Sequence, residues 1–129
     1  MISDLYQKQS RSINANQKLI IGAGGALAET NPANTNTLAA NQYLMVGDNG
    51  LRQGPVVAVT GIAGVNYRFA SVWKAQNTGS VGTVRIAWPA GLTNIRLLQN
   101  SDPTFAAGNT VTDMSVNTQT VNGTVYNYA

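Results

Sequence analysis

The chain has 129 residues, of which only 10% are charged, against roughly 25% in an average globular domain. It contains no cysteine and no histidine, which excludes disulfides, thiolate metal sites and the Ser-His-Asp and Cys-His catalytic groupings. The formal net charge of +3 comes from scattered lysines and arginines. We therefore expect no nucleic-acid partner, and no apolar run approaches the length of a membrane span.

The length suits a single domain, residues 1–129, that buries its own core. Because 43% of the residues are hydrophobic and few are charged, the surface must be polar through Asn, Thr, Ser, Gln and Gly. This composition is typical of extracellular β-modules. Met1 stands directly before a strand-like segment, which suggests that the sequence is a piece of a larger protein.

The N-terminal part predicts a β-hairpin and a long loop. Residues 7–13 alternate loosely and suit an exposed edge strand, and residues 18–22 form a short apolar strand. We place the turn between them at residues 14–16. Residues 23–41 mix small residues with Asn, Thr and Pro, which predicts a long loop of the kind that carries a binding patch in a surface module.

The middle of the chain carries both tryptophans. Residues 42–46 read as a buried strand, and residues 55–60 as a strand that begins at a proline. Residues 67–89 alternate in both halves around a Gly-containing turn, so we interpret them as a long central hairpin on which the core forms. The residues expected to build this core are Tyr67, Phe69, Trp73, Val84, Ile86 and Trp88, together with Ile20 and Leu44.

The C-terminal part predicts further strands at residues 94–99 and within residues 110–128. Asn122-Gly123 suits the positive-φ positions of a type I′ hairpin turn. The sum is eight or nine short strands and no convincing helix, which predicts an all-β fold, an antiparallel β-sandwich that is Ig-like or jelly-roll-like. An open barrel is the alternative.

We do not expect an enzyme. The chain has five acidic residues, and nothing in the sequence pairs two of them across a cleft, as a glycosidase requires. They are Asp4, Glu29, Asp48, Asp102 and Asp113. Asp48 and Asp102 stand in turn-like segments whose oxygens could bind calcium, but the spacing lacks the alternating acidic pattern of an EF-hand. We interpret both as capping residues of turns, with no cofactor.

Lys74 next to Trp73 is unusual on a central strand. One hypothesis is an isopeptide crosslink from Lys74 to an Asn or Asp of a neighbouring strand, with Glu29 or an Asp as the proton shuttle. The alternative is a salt-bridged or solvent-facing lysine. A second hypothesis treats the tyrosines as a sugar-stacking surface. The tyrosines concerned are Tyr43, Tyr67, Tyr126 and Tyr128.

Five segments together resemble a known family. They are QKQSRSIN, GDNG, NYRFASVWKAQNTGSVGTVRIAWP, LLQNSDPTF and VNGTVYNY. The family is a domain of unknown function found in very large secreted bacterial proteins, usually after a concanavalin-like (LamG-type) module. The resemblance implies a module at the cell surface, outside the cytoplasm, with neighbouring modules of the same protein as partners. It supplies no binding or catalytic residues.

The same resemblance implies an open sheet edge. The family pattern continues past the last tyrosine into another strand, so the sheet of this chain is expected to lack a closing strand, and an open edge recruits a strand from elsewhere. The leading interpretation is a non-catalytic structural or adhesive module. Two alternatives are a self-assembling subunit that exchanges strands and a lectin-like module that binds sugar through residues 23–41.

Overall fold

The computed structural model describes residues 1–4, 7–11 and 18–129. These residues form twelve short strands, and among them there is no helix long and apolar enough to span a membrane. The strands are β1 (Ile2–Ser3), β2 (Gln9–Arg11), β3 (Ile20–Ala23), β4 (Tyr43–Asp48), β5 (Pro55–Ala58), β6 (Tyr67–Phe69), β7 (Trp73–Thr78), β8 (Val84–Pro89), β9 (Arg96–Gln99), β10 (Thr110–Asp113), β11 (Thr118–Val121) and β12 (Thr124–Tyr128).

The strands form two main sheets and two separate hairpins, all antiparallel. The strand order is β1-β4-β7 in the three-stranded sheet and β11-β12-β8-β3-β2 in the five-stranded sheet, while β5 pairs with β6 and β9 with β10. This confirms the predicted all-β, sandwich-like class. The described strands outnumber the predicted eight or nine because pieces such as the two-residue β1 are too short to leave a periodic pattern.

The first hydrophobic core fills the space between the two main sheets. Ile2 and Leu44 enter it from the three-stranded sheet, and Ile21 and Ala23 enter it from β3 of the five-stranded sheet. None of the four is more than 9% exposed. Burying an aliphatic side chain of this size contributes about 1.5–3 kcal/mol, so this layer is what holds the sheets together.

A second core lies on the opposite, outer face of the five-stranded sheet. Successive residues of a strand point to opposite faces, so Ile20 lies on the outer face when Ile21 lies on the inner one. Ile20 packs there with Val121, Tyr126 and Leu27, the last contributed by the loop that follows β3. Because this loop covers the outer face, β3 is apolar on both sides, as the continuous run LIIG of the sequence indicates.

The central hairpin predicted over residues 67–89 is wrong. β7 pairs with β4, and β8 pairs with β3 and β12, so the two strands lie in different sheets. The connection over residues 79–83 crosses between the layers and is anchored by Val81, which is 7% exposed in the first core. Alternation identifies a strand and its faces but does not choose its partner, and five connecting residues are longer than a tight hairpin turn.

The two tryptophans therefore meet across the sandwich, with the edge of one ring toward the face of the other. Trp73 and Trp88 have ring centroids 5.9 Å apart, and Phe69 lies 5.0 Å from Trp88 and 6.3 Å from Trp73. Such tilted and edge-on pairs stabilise a fold beyond the area that they bury. Tyr67 does not belong to this core: its side chain is 60% exposed, because it lies on the short β5–β6 hairpin outside the main sheets.

The hairpins predicted near the two ends of the chain are present in the structure. The N-terminal hairpin is confirmed by the pairing of β2 with β3, although its predicted turn at residues 14–16 lies outside the described residues. Asn122 (φ 49°) and Gly123 (φ 78°) form the expected two-residue turn between β11 and β12. The last strand leaves no open edge, because β12 is paired with β11 on one side and β8 on the other. In the described part of the chain, the edge strands of the two main sheets are β1 and β7 in one and β2 and β11 in the other, and β7 is the longest of these.

Candidate functional site

The long loop predicted over residues 23–41 is a strap across the outer face of the five-stranded sheet. We use "strap" for residues 24–36. Leu27 is 5% exposed and packs into the second core. The strap thus shields one face of the sheet from solvent, although it contains no helix or strand.

Two glutamines from the outermost strands fix the strap. Gln9 on β2 binds the backbone of Ala28, with Nε2 donating to the carbonyl at 2.8 Å and Oε1 accepting from the N–H at 2.9 Å. Gln119 on β11 binds Leu27 in the same way, at 2.6 Å to the carbonyl and 3.2 Å from the N–H. Each side-chain amide therefore satisfies both polar backbone groups of one strap residue.

Other strap side chains bond back to the sheet. The Asn31 Oδ1 accepts from the backbone N–H groups of Lys8 at 2.7 Å and Gln9 at 2.9 Å. Asn34 is 5% exposed, and its Nδ2 donates to the Ala23 carbonyl at 3.1 Å. Glu29 accepts from the N–H of Asn122 in the β11–β12 turn. These polar groups hold the fold, and the sugar-binding patch expected on this loop stays a prediction.

The candidate site is a cleft of about 240 Å³ that opens between the two main sheets. Its lining joins the beginning of the chain, β2, β3, β4 and β7: Met1, Ser10, Leu19, Ile21, Val46, Gly47, Asp48 and Trp73. Most of these side chains are apolar. Pockets for drug-sized ligands usually measure 300–1,000 Å³, so this cleft is smaller than such a pocket.

Lys74 and Glu29, two residues of the proposed crosslink, are not brought together. Lys74 is exposed on β7 in the three-stranded sheet, facing Gly47 of β4. Glu29 is exposed on the strap and bonds to Asn122, at the far side of the five-stranded sheet. The solvent-facing alternative for Lys74 agrees with this position.

The acidic residues expected to cap turns accept hydrogen bonds from turn residues that follow them. Asp48 accepts from the N–H of Gly50 at 3.1 Å. Asp102 accepts from the N–H and the hydroxyl of Thr104 at 2.9 and 2.7 Å, and these bonds lower the pKa of Asp102. Among the residues described, no three Asp or Glu side chains gather into a group that could hold a metal ion.

Asp113 lies at the end of β10 and, like Asp48 and Asp102, accepts hydrogen bonds from the residue two positions further along the chain. Its carboxylate accepts from the Ser115 hydroxyl at 2.6 Å and from the Ser115 N–H at 2.8 Å, and Arg96 lies 3.7 Å away. The pKa of Asp113 is lowered first by the Ser115 hydroxyl, then by the Ser115 N–H and, more weakly, by the Arg96 charge. The group stabilises a local turn rather than forming a reactive site.

The four tyrosines do not form one surface. Tyr126 is 5% exposed and lies in the second core. The Arg85 guanidinium stacks over the ring of Tyr128, with 3.8 Å between the Arg85 Cζ and the ring centroid. Tyr43 belongs to the three-stranded sheet and Tyr67 to the β5–β6 hairpin. A single sugar-stacking platform built from these residues is therefore wrong.

The sequence interpretation did not identify the glutamines or the cleft. A glutamine on an edge strand has no distinctive pattern, since Gln9 and Gln119 stand among other polar residues. The cleft depends on which strands face each other, and it was therefore hidden by the wrong pairing of β7. Val46 was recognised only as the end of a buried strand.

The fold and the cleft define a small all-β domain, a sandwich with a covered outer face and an opening at one edge of its core. The profile of a family described as "Domain of unknown function (DUF8202)" matches residues 1–128. The chain belongs to this family. No curated protein and no solved structure matches it.

Proposed function

We propose that this domain is a non-catalytic structural module of a large secreted or surface-displayed bacterial protein. The observation that carries the proposal is the strap: Gln9 and Gln119 fix it from the two outermost strands by four amide hydrogen bonds. A loop fixed in this way contributes rigidity to the domain, as a spacer between neighbouring modules requires.

The hydrogen-bonding chemistry of the strap supports the proposed location outside the cytoplasm. Side-chain amides do not titrate near neutral pH and do not depend on the redox state, unlike histidines or disulfides. With 10% charged residues, the fold depends little on ion pairs, whose strength changes with salt. A domain held by amides keeps its stability when the pH, ionic strength and oxidant of its surroundings vary.

Thermal unfolding with and without additives tests this proposal. We expect one cooperative transition whose midpoint changes little between pH 5 and pH 9 and in the presence of a reductant. We also expect no shift with calcium or with a panel of glycans, since a ligand that binds only the folded state raises the midpoint by mass action. A rise with a glycan would favour the lectin-like alternative, and a rise with calcium would contradict the absence of a cofactor.

A second candidate function is self-assembly by strand addition, and the edge strand β7 favours it. β7 has six residues, and in the described part of the chain its pairing partner is β4 alone. An unpaired edge of this length can add a strand from another chain. Light scattering after size exclusion measures this directly: a monomer over a wide concentration range contradicts assembly, and a concentration-dependent dimer supports it.

A further inference from the structure

The chain contains two Asn-Gly pairs, Asn49-Gly50 and Asn122-Gly123. In such a pair the backbone nitrogen of the glycine can attack the side-chain carbonyl carbon of the asparagine, because glycine has no Cβ to obstruct the approach. The attack closes a cyclic imide and expels the side-chain nitrogen as ammonia. Water then opens the ring to give aspartate or isoaspartate. The two pairs have the same sequence, so their surroundings decide which of them can react.

Hydrogen bonds hold both reacting groups of the Asn49-Gly50 pair. The Asn49 Oδ1 accepts from two backbone N–H groups and its Nδ2 donates to the Ala70 carbonyl, all at 3.2 Å. The Gly50 N–H donates to the Asp48 Oδ1 at 3.1 Å. Ring closure requires the carboxamide to turn toward the glycine nitrogen, so these bonds must break first. Breaking them raises the barrier to the reaction.

The Asn122-Gly123 pair is held by no comparable bonds. Asn122 (φ 49°) and Gly123 (φ 78°) are the two turn residues between β11 and β12, and both are exposed. Among the residues that the structure describes, neither the Asn122 carboxamide nor the Gly123 N–H has a hydrogen-bond partner. The two groups that react are therefore free to approach each other.

We propose that Asn122 is a modification site at which ring closure with Gly123 converts the side-chain amide to a carboxylate, while Asn49 is protected. The C–N bond of the carboxamide breaks as the new C–N bond to Gly123 forms, and the proton of the Gly123 nitrogen leaves with the ammonia. One water is then consumed in opening the ring, and no oxidant, reductant or cofactor is needed. This inference does not depend on the proposed function, because it involves only the chain and water.

The product would lie where the strap is attached to the β11–β12 turn. Glu29 on the strap accepts a hydrogen bond from the backbone N–H of Asn122, so the new carboxylate places a second negative charge beside Glu29. Like charges repel each other, and salt screens the repulsion because both residues are exposed. Isoaspartate also adds a carbon to the backbone, which a two-residue type I′ turn does not accommodate. The modification should therefore loosen the attachment of the strap to this turn.

Peptide mapping by mass spectrometry tests the site in the full 129-residue chain, incubated in mildly alkaline buffer. The product gains the mass of one water and loses that of one ammonia. We expect the folded chain to convert Asn122 roughly tenfold faster than Asn49, or more. The chain unfolded in urea should convert both at similar rates, because the bonds around Asn49 are lost. Equal rates in the folded chain, or a difference that persists in urea, would overturn the proposal.

A charge-mimicking variant tests the effect on the strap. Asn122→Asp introduces the charge of the product directly, and we expect it to lower the midpoint of thermal unfolding by roughly 1–2 °C at low salt. In a Glu29→Gln background, or at high salt, the same substitution should cause no such loss. An equal loss with and without Glu29 would show that the modification does not act on the strap through this residue.

Discussion

Gln9 and Gln119 lie on opposite edges of the five-stranded sheet, yet their side chains bind adjacent residues, Ala28 and Leu27, of one loop. The loop is therefore held from both sides of the sheet it covers. It keeps Leu27 over Ile20 and Val121, so its hydrogen bonds and the second core support each other.

The glutamines should be costly to remove. Gln119→Ala leaves the N–H and C=O of Leu27 without their partners in a half-buried place, and we expect it to lower the free energy of unfolding by about 1–3 kcal/mol. Gln9→Ala should have an effect of similar size. Urea unfolding measures both, and Gln76→Ala is the matched control, because Gln76 is exposed on β7 and should change stability by less than about 0.5 kcal/mol.

A double mutant tests whether the strap acts as one unit. If Gln9 and Gln119 hold the same loop, the first substitution frees it and the second costs less, so the two losses should not add. Strictly additive losses would contradict a shared role. A loss for Gln76→Ala as large as for Gln119→Ala would show that the strap bonds contribute little.

Acid should weaken the domain partly through Asp113. Its pKa is lowered in the folded state from the ordinary 3.8, so its contribution is present above pH 3.8 and is lost as the pH falls through the folded value. Asp113→Asn should therefore flatten the fall in stability below about pH 4. Ser115→Ala should flatten it more than Arg96→Gln, because the hydroxyl is the larger cause. Unfolding titrations give these slopes, and an unchanged slope for Asp113→Asn would contradict the assignment.

The aromatic residues should differ sharply in their importance. Trp88 is 7% exposed and contacts both Phe69 and Trp73, so Trp88→Ala should cost about 3–5 kcal/mol. Tyr67→Ala should cost less than about 0.5 kcal/mol, because that ring is 60% exposed. Chemical unfolding of the two variants measures both losses in the free energy of unfolding. Similar losses would mean that the aromatic cluster is placed wrongly.

Gly79 should tolerate no side chain. A Cβ there would lie 2.7 Å from the Asn41 carbonyl oxygen, and φ is +67°. Gly82 is the matched control, with a φ of +72° and no atom within 4 Å of its added Cβ. We expect Gly82→Ala to cost about 1 kcal/mol from the backbone alone and Gly79→Ala to cost clearly more. Equal midpoints in thermal unfolding would contradict the close approach to Asn41.

Lys74 should carry no crosslink. Its exposed position apart from Glu29 leads us to expect an intact mass that equals the sequence mass, whereas an isopeptide bond would remove one ammonia or one water. Charged residues on edge strands hinder strand addition, so Lys74→Val should increase self-association in light scattering. A mass deficit in the original chain that is abolished in Lys74→Ala would restore the crosslink hypothesis.

The sequence predicted local features well and partners poorly. Alternation located β4, β7 and β8, and Asn122-Gly123 located a turn, because these signals depend on neighbouring residues. The pairing of β7 with β4 depends on contacts between residues about thirty positions apart, and no local pattern encodes that choice. The same limit hid the strap, since Gln119 and Leu27 are 92 residues apart.

The side-chain amides that hold the strap can be hydrolysed, and their loss would affect the fold. Hydrolysis of Asn34 would replace the nitrogen that donates to the Ala23 carbonyl with a carboxylate oxygen, so that two acceptors would face each other in a buried place. The same change at Gln119 would leave the Leu27 carbonyl without its donor. Slow deamidation at these positions would therefore weaken the domain.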